Sequence, residues 1–404
     1  MNSKIVYCSF DRFPSPKGAA THIDAFVRAL GQEFGRVDLV TLPHGFSPDS
    51  AATEALSKWQ AIGVKHFQIE TGGSDLFERA SRFRRYFDRW WLNRFAGFRP
   101  EVVHFRSIFE GYPIALNKDA CCHKIVFEVN GLPSIELKYH YPKVADDTEL
   151  LRKIRHQEEV CIQNADILLT VSDVNKRHLI SRGAAEEKIK VIRNGVSLDL
   201  FPFRQPDKEQ YRSAKQHFNA IYSGTMSSWQ GVLHAVDAIS LFRRDGDASL
   251  ILVGPSRRKE SDAIRKHVDA LSLQSSIELK DSVSKPDLCK LYHEKHALIA
   301  PLTRCDRNTV QGCCPLKIIE AMAAGLPVIS SRLSVVEELV THDVDGLLVK
   351  PNSAKSIKDA LFRLRDEDGL ATRLALNARR KVEGQFSWQH SQDQLIEVYQ
   401  NLLN

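Results

Sequence analysis

The sequence predicts an α/β protein built from two doubly wound parallel sheets, each covered by helices on both faces. Three observations carry that reading. Short apolar strands alternate with amphipathic helical patterns throughout the 404 residues. The alternation stops and then restarts near residue 218. The break, SLDLFPFRQPDKEQYRSAKQH at 197–217, is polar and proline-bearing, as a linker would be.

In chain order, the first half offers strands at Lys4–Cys8, Val37–Leu42, Glu101–Phe105, Ile125–Val129, Ile167–Val171 and Ile189–Arg193. Between the first two, Ile23, Phe26, Val27, Leu30 and Phe34 keep helical spacing behind Thr21, a residue suited to an N-cap. The second half offers Phe218–Ser223, Ser249–Val253, Ile277–Leu279, Ala297–Pro301, Pro327–Ser330 and Gly346–Val349. Ligands of doubly wound sheets bind beyond the carboxyl ends of the strands, so two such sheets are expected to share a cleft.

Composition excludes several classes. A hydrophobic content of 43% supports two or three globular domains. The charge of +6 is spread along the chain, so nucleic acid is not demanded, and a phosphate-bearing small molecule or an anionic membrane surface is compatible with it. No window approaches the ~18 apolar residues of a membrane span, and MNSKIVYCSF enters a strand pattern, so the expectation is a cytoplasmic protein. The eight cysteines form no C-x-x-C, which signals neither a zinc site nor a disulfide framework.

The stretch QGCCPLKIIEAMAAGLPVIS at 311–330 carries the chemistry. Pro315 suits the first turn of a helix, leaving the amides of Leu316, Lys317 and Ile318 as orphan donors that attract an anion. Lys317 sits beside such an anion, and Glu320 lies about 7.5 Å along the axis from Pro315. A carboxylate is a poor phosphate ligand but accepts hydrogen bonds from the two hydroxyls of a ribose. The spacing suits a nucleoside diphosphate; the competing reading is a glutamate that bonds a neighbouring loop.

PLKIIEAMAAGLPVIS, VIRNGVSLDLF (191–201), YSGTMSSWQGVLHAVDAI (222–239), LILVGPS (250–256) and FSW (386–388) together resemble the GT-B glycosyltransferases of family 4, the glycogen-synthase-like group 1. The resemblance implies two Rossmann-like domains facing a central cleft: an acceptor-binding domain at 1–200, joined by the C-terminal helix 386–404, and a nucleotide-sugar-binding domain at 201–385. It implies that Glu320 holds the donor ribose. It places Gly18 in the loop Ser15–Ala20 near the donor diphosphate, with Lys17 adding charge, and Gly224 and Gly254 beside the donor.

The chain departs from the family at several positions. Gly312 stands where a first glutamate is usual, and Thr225 and Gln230 replace the arginine and lysine that grip the diphosphate. A departing diphosphate needs charge stabilisation, so Lys317, then Arg304 and Arg307, are the expected substitutes. Asn130 replaces the usual histidine near the anomeric carbon; its amide can hold a sugar hydroxyl but cannot act as a base. His22, His104 and Glu128 are the remaining candidates for acceptor contacts, each with a plain structural role as the alternative.

Asp343-Val344-Asp345 matches the metal-binding Asp-x-Asp of other glycosyltransferases but precedes a late strand, and is read as coincidence; no metal or other cofactor is expected, the nucleotide sugar being a substrate. Residues 76–98 hold six arginines. Leu76, Ala80, Phe83, Phe87 and Trp90 or Trp91 form one helical stripe, and Arg82, Arg85 and Arg89 lie off it. That stripe serves either core packing or peripheral membrane contact.

The expected activity is retaining transfer of a hexose from a nucleotide diphosphate sugar, UDP-linked by preference, to a saccharide or lipid-linked acceptor in polysaccharide or glycolipid assembly. The rivals are a non-catalytic sugar-nucleotide-binding protein, an epimerase and a sugar-phosphate synthase.

Overall fold

The computed structural model describes residues 4–15, 18–43, 59–73 and 75–404. The chain divides into two compact units, Met1–Arg193 with Ser391–Asn404, and Asn194–His390.

The first unit holds a sheet of seven strands: β1 (Ile5–Arg12), β2 (Val37–Leu42), β3 (Val64–Gln68), β4 (Val102–Phe105), β5 (Lys124–Val129), β6 (Ile167–Thr170) and β7 (Ile189–Val191). Their order is β3-β2-β1-β4-β5-β6-β7. The second unit holds six, β8 (Phe218–Ser223), β9 (Ala248–Val253), β10 (Ile277–Lys280), β11 (Ala297–Ala300), β12 (Val328–Ser331) and β13 (Leu347–Val349), in the order β10-β9-β8-β11-β12-β13. Among the described residues every strand pairing is parallel. Strand order therefore reverses between β1 and β4, where Ile5 faces Val102, and between β8 and β11, where Ala220 faces Ala297. Ligands of such sheets collect outside the carboxyl ends of the strands at those reversals.

The Val/Ile/Leu-rich runs became strands because helices bury them on both faces; β2, β4, β11 and β12 are buried at every residue. β3 had not been anticipated. It is an edge strand in which Val64 alone is fully buried, so it lacks an apolar run. Thr21 is not an N-cap, because the helix already begins at Gly18 and runs to Phe34, with Ile23, Phe26, Val27 and Leu30 inside.

The polar segment after residue 194 is fastened to the second unit. Phe201 is buried beside Tyr292, and its carbonyl accepts from Arg379 Nη1 at 3.1 Å. The Arg204 amide donates to the Ala324 carbonyl at 3.1 Å, and Lys208–Ser213 forms a short helix capped by Asp207. Those ties run mainly through backbone, which composition does not display. The final helix, Trp388–Leu403, buries Leu395 and Tyr399 in the first unit, and its Gln392 Nε2 donates to the Ala25 carbonyl at 2.8 Å.

The aromatic stripe of 76–98 faces inward. On the helix Leu76–Phe95, Ala80, Phe83 and Phe87 are buried, and Phe83 meets Phe10 edge-on at 5.3 Å between ring centroids. Core packing has claimed that face. Among the described residues no helix is long and apolar enough to cross a membrane.

Candidate active site

In the second unit the candidate donor site lies at the carboxyl ends of β8 and β9, next to the reversal. Gly224 follows β8 and Gly254 follows β9. Gly254 has φ +140, and a Cβ there would come 2.2 Å from the Gly224 carbonyl oxygen; a Cβ on Gly224 would come 2.9 Å from Lys317 Nζ. Only glycine allows this approach of two loops and an amine.

The helix behind Lys317 runs Leu316–Ala324, one residue later than expected. Pro315 is its N-cap, and the Pro315 carbonyl accepts the Ile318 amide at 3.1 Å. The Ile318 amide is therefore not an orphan, and Leu316 and Lys317 retain the outward amides of the first turn. Asn194 Nδ2 holds the preceding Cys314 carbonyl at 2.9 Å, fixing the entry to the helix.

Lys317 is buried. Its Nζ donates to Tyr222 Oη at 2.8 Å and Gln230 Oε1 at 2.7 Å, and lies 4.0 Å from the centre of the Tyr222 ring. Burial pushes the amine down to about 7, Arg307 adds to that shift, and Cys313 and Glu320 oppose it. Gln230, in the place of a family cation, thus holds the Lys317 amine. Thr225 serves through its backbone, its carbonyl accepting the Tyr222 hydroxyl.

Arg307 stands 5.3 Å from the Trp229 ring and donates to Asn308 Oδ1 at 3.1 Å. Arg304 is exposed, with its amide on Asn352 Oδ1. Gly312, at φ 84, closes the π-helical turn Arg307–Gln311. Glu320, nearly buried, is paired with Lys285 at the start of the helix Lys285–Glu294. Lys285 had escaped sequence reading; it stands 35 residues from its partner with no local pattern linking them.

In the first unit His22, His104, Glu128 and Asn130 come together at the carboxyl end of β5, close to the β1/β4 reversal. Glu128 Oε2 accepts from Tyr7 Oη at 2.7 Å and from His104 Nε2 at 3.0 Å; Oε1 accepts from Arg106 Nε at 2.9 Å, lies 3.0 Å from His22 Nε2, and also accepts from the Asn130 amide. Burial by itself raises a carboxyl's pKa, but the charges of His22 and Arg106, with the histidine hydrogen bonds, hold Glu128 well below the usual range. An ionised carboxylate only accepts, so His104 carries its proton on Nε2 and its Nδ1 accepts from Tyr399 Oη at 2.8 Å. Burial keeps the His104 ring below its ordinary pKa. Both its nitrogens are occupied and it is wholly buried, so it has no free ring nitrogen to offer an acceptor hydroxyl.

Arg106 and Asp11, which sequence reading missed, complete the cluster: Arg106 Nη1 donates to Asp11 Oδ2 at 2.9 Å, and Asp11 is half exposed. Their signal was positional. Each is a charged residue at the carboxyl end of a buried strand beside the reversal. Gly18 begins the first helix; Pro16 and Lys17 lie outside the described residues.

Asp343 pairs with Arg363 at 3.1 Å, while Asp345 accepts from the Thr341 amide and from Lys381, so both carboxylates serve the turn into β13. Among the described residues no group of three His, Cys, Asp or Glu could hold a metal ion.

A family profile described as glycosyl transferases group 1 matches residues 203–381, and one described as glycosyltransferase family 4 matches residues 16–200. The chain belongs to the family 4, group 1 glycosyltransferases, which have the GT-B fold. Among curated relatives, the amylovoran biosynthesis glycosyltransferase AmsK of Erwinia amylovora is 25% identical over 240 residues, 59% of this chain and 56% of AmsK. The chain thus spans little more than half the length of that relative. Among solved structures, Anabaena HepE in complex with UDP aligns with TM-score 0.71 at 17% identity, covering 98% of this chain and all of HepE. Sucrose-phosphate synthase from Thermosynechococcus elongatus aligns with TM-score 0.77 at 18% identity over 99% of each chain. These two likenesses concern the fold.

Proposed function

We propose that this family 4 glycosyltransferase moves a hexose, with retention, from a nucleotide diphosphate sugar to an acceptor hydroxyl in polysaccharide or glycolipid assembly. The observation that carries the reading is one helix presenting outward amides, a buried amine at Lys317 and a carboxylate at Glu320 one turn further on. The diphosphate takes the amides and Lys317; the ribose hydroxyls take Glu320. A UDP donor is preferred because HepE, of the same fold, binds UDP, and the name of AmsK supports polysaccharide as the product.

In the proposed reaction the C1–O bond to the β-phosphate breaks as the acceptor oxygen bonds to C1 on the same face, and the acceptor proton passes to the leaving phosphate. Lys317 and the helix amides stabilise the charge that grows on the diphosphate, and no protein nucleophile is required. Asn130, held on Glu128, offers its amide carbonyl to an acceptor hydroxyl, and Arg304 and Arg307 supply further positive charge. No metal takes part, so EDTA is expected to leave the rate unchanged. We place the protein in the cytoplasm with peripheral membrane contact, where lipid-linked acceptors are presented.

Calorimetry against a panel of nucleoside diphosphates, followed by mass spectrometry of products formed with cell-extracted acceptors, tests the reading. Tight binding of one diphosphate without hexose transfer, and without slow donor hydrolysis, would favour the rival, a sugar-nucleotide-binding protein. That rival draws on Thr225, Gln230 and Gly312 standing where the family has charged groups.

A further inference from the structure

The helix Leu76–Phe95 spends its apolar stripe on the core, yet its opposite face is not an ordinary solvent face. Leu92 is 73% exposed, Tyr86 43% and Phe77 40%, and Phe98, just past the left-handed cap at Ala96, is 41% exposed. Arg85, Arg89 and Leu92 share that face at helical spacing. Arg85 and Arg89 are exposed and have no hydrogen-bond or ion-pair partner among the described residues.

Three of the other four arginines of the helix are engaged. Arg84 reaches inward to the carbonyls of Ile108 and Phe109, Arg94 pairs with the buried Asp38, and Arg82 pairs with Glu78. Of the two acids on the helix outside the core, Glu78 is taken by Arg82 and Asp88 sits in the field of Arg84. In water, two like charges at i and i+4 repel each other and a largely bare leucine beside them gains nothing. At an anionic interface both features become favourable: the guanidiniums meet lipid phosphates while Leu92, Tyr86 and Phe98 enter the headgroup boundary.

We infer that the face carrying Arg85, Arg89, Leu92 and Tyr86 docks on an anionic lipid surface. The inference deepens the acceptor side of the proposed reading, on which its biological sense rests, by naming the side chains that make the contact and the lipid charge they select. It also moves that contact away from the aromatic stripe to the reverse of the same helix. An acidic protein or a nucleic acid would answer the two charges but would leave the exposed leucine unexplained.

The full chain is sedimented with vesicles of phosphatidylcholine alone and of phosphatidylcholine containing phosphatidylglycerol. Binding is expected to the second only, to fall roughly 30-fold in Arg85→Gln/Arg89→Gln and to weaken in Leu92→Ser, with thermal melting of both variants unchanged. Absence of binding by the wild type, or equal binding by the arginine variant, overturns the inference. Loss of binding in Arg85→Gln/Arg89→Gln with Leu92→Ser unaffected would remove the apolar part and point to a purely charged partner. No nucleotide is needed in the assay, so its failure leaves the donor site standing.

Discussion

Lys285 donates its amine to Glu320 Oε1, joining the start of one helix to the middle of the next. The carboxylate proposed to grip a ribose thus already has a cation beside it.

Replacing that carboxylate is the direct test. Glu320→Ala is expected to weaken nucleoside diphosphate binding by roughly 1–3 kcal/mol, the range for losing a hydrogen bond to a charged group. Titration calorimetry on both proteins measures it, and equal affinities would count against a ribose at Glu320.

Lys317 predicts a pH dependence. The folded protein holds its amine near 7, against an ordinary value of 10.5. A bound diphosphate favours the charged form, so binding should take up a proton above pH 7, and affinity should fall as pH rises through that value. Calorimetry in buffers of different ionisation enthalpy reads the proton count. For stability the sign is opposite: between about 7 and 10.5 the unfolded chain holds the extra proton, so stability rises with pH over that window. Lys317→Met should abolish both effects, and a wild-type affinity flat from pH 6 to 9 would refute the linkage.

Glu110 predicts a second pH effect, in the first unit. Burial pushes its carboxyl up to about 8, although the Arg106 and Ser107 amides donate to its Oε1 at 3.1 and 2.8 Å. With the folded value above the unfolded one, its contribution is complete below about 4.5 and is lost as pH rises through 8. Glu110→Gln keeps the acceptor of the capping box at Ser107 and removes the titration. The variant should gain about 3 kcal/mol relative to the wild type between pH 5 and pH 8. Urea unfolding at the two pH values checks it.

Arg106 and Glu128 are both buried, so removing one leaves the other's charge without its partner. Arg106→Ala should cost about 3–5 kcal/mol of stability in the first unit. Denaturant unfolding measures it; a loss below 1 kcal/mol would mean that His22 and His104 suffice to hold Glu128.

The sequence by itself determined the two sheets, because a parallel strand covered by helices is written mostly in apolar residues, and that pattern marks twelve of the thirteen strands among the described residues. It also determined the helix that carries Lys317 and Glu320, since Pro315, Lys317 and Glu320 lie within one stretch where spacing along an axis is a local property. The edge strand Val64–Gln68 and the attachment of residues 194–217 were not legible, because exposed edges and backbone hydrogen bonds leave no apolar pattern. Pairings across long stretches of chain belonged to the tertiary structure alone. Lys285 with Glu320, Arg106 with Glu128, and Tyr399 with His104 across 295 residues exist only because separate strand ends and helices converge. The same convergence chose between the two readings of the stripe on Leu76–Phe95, since a helix gives its more apolar face to whatever sheet lies beneath it.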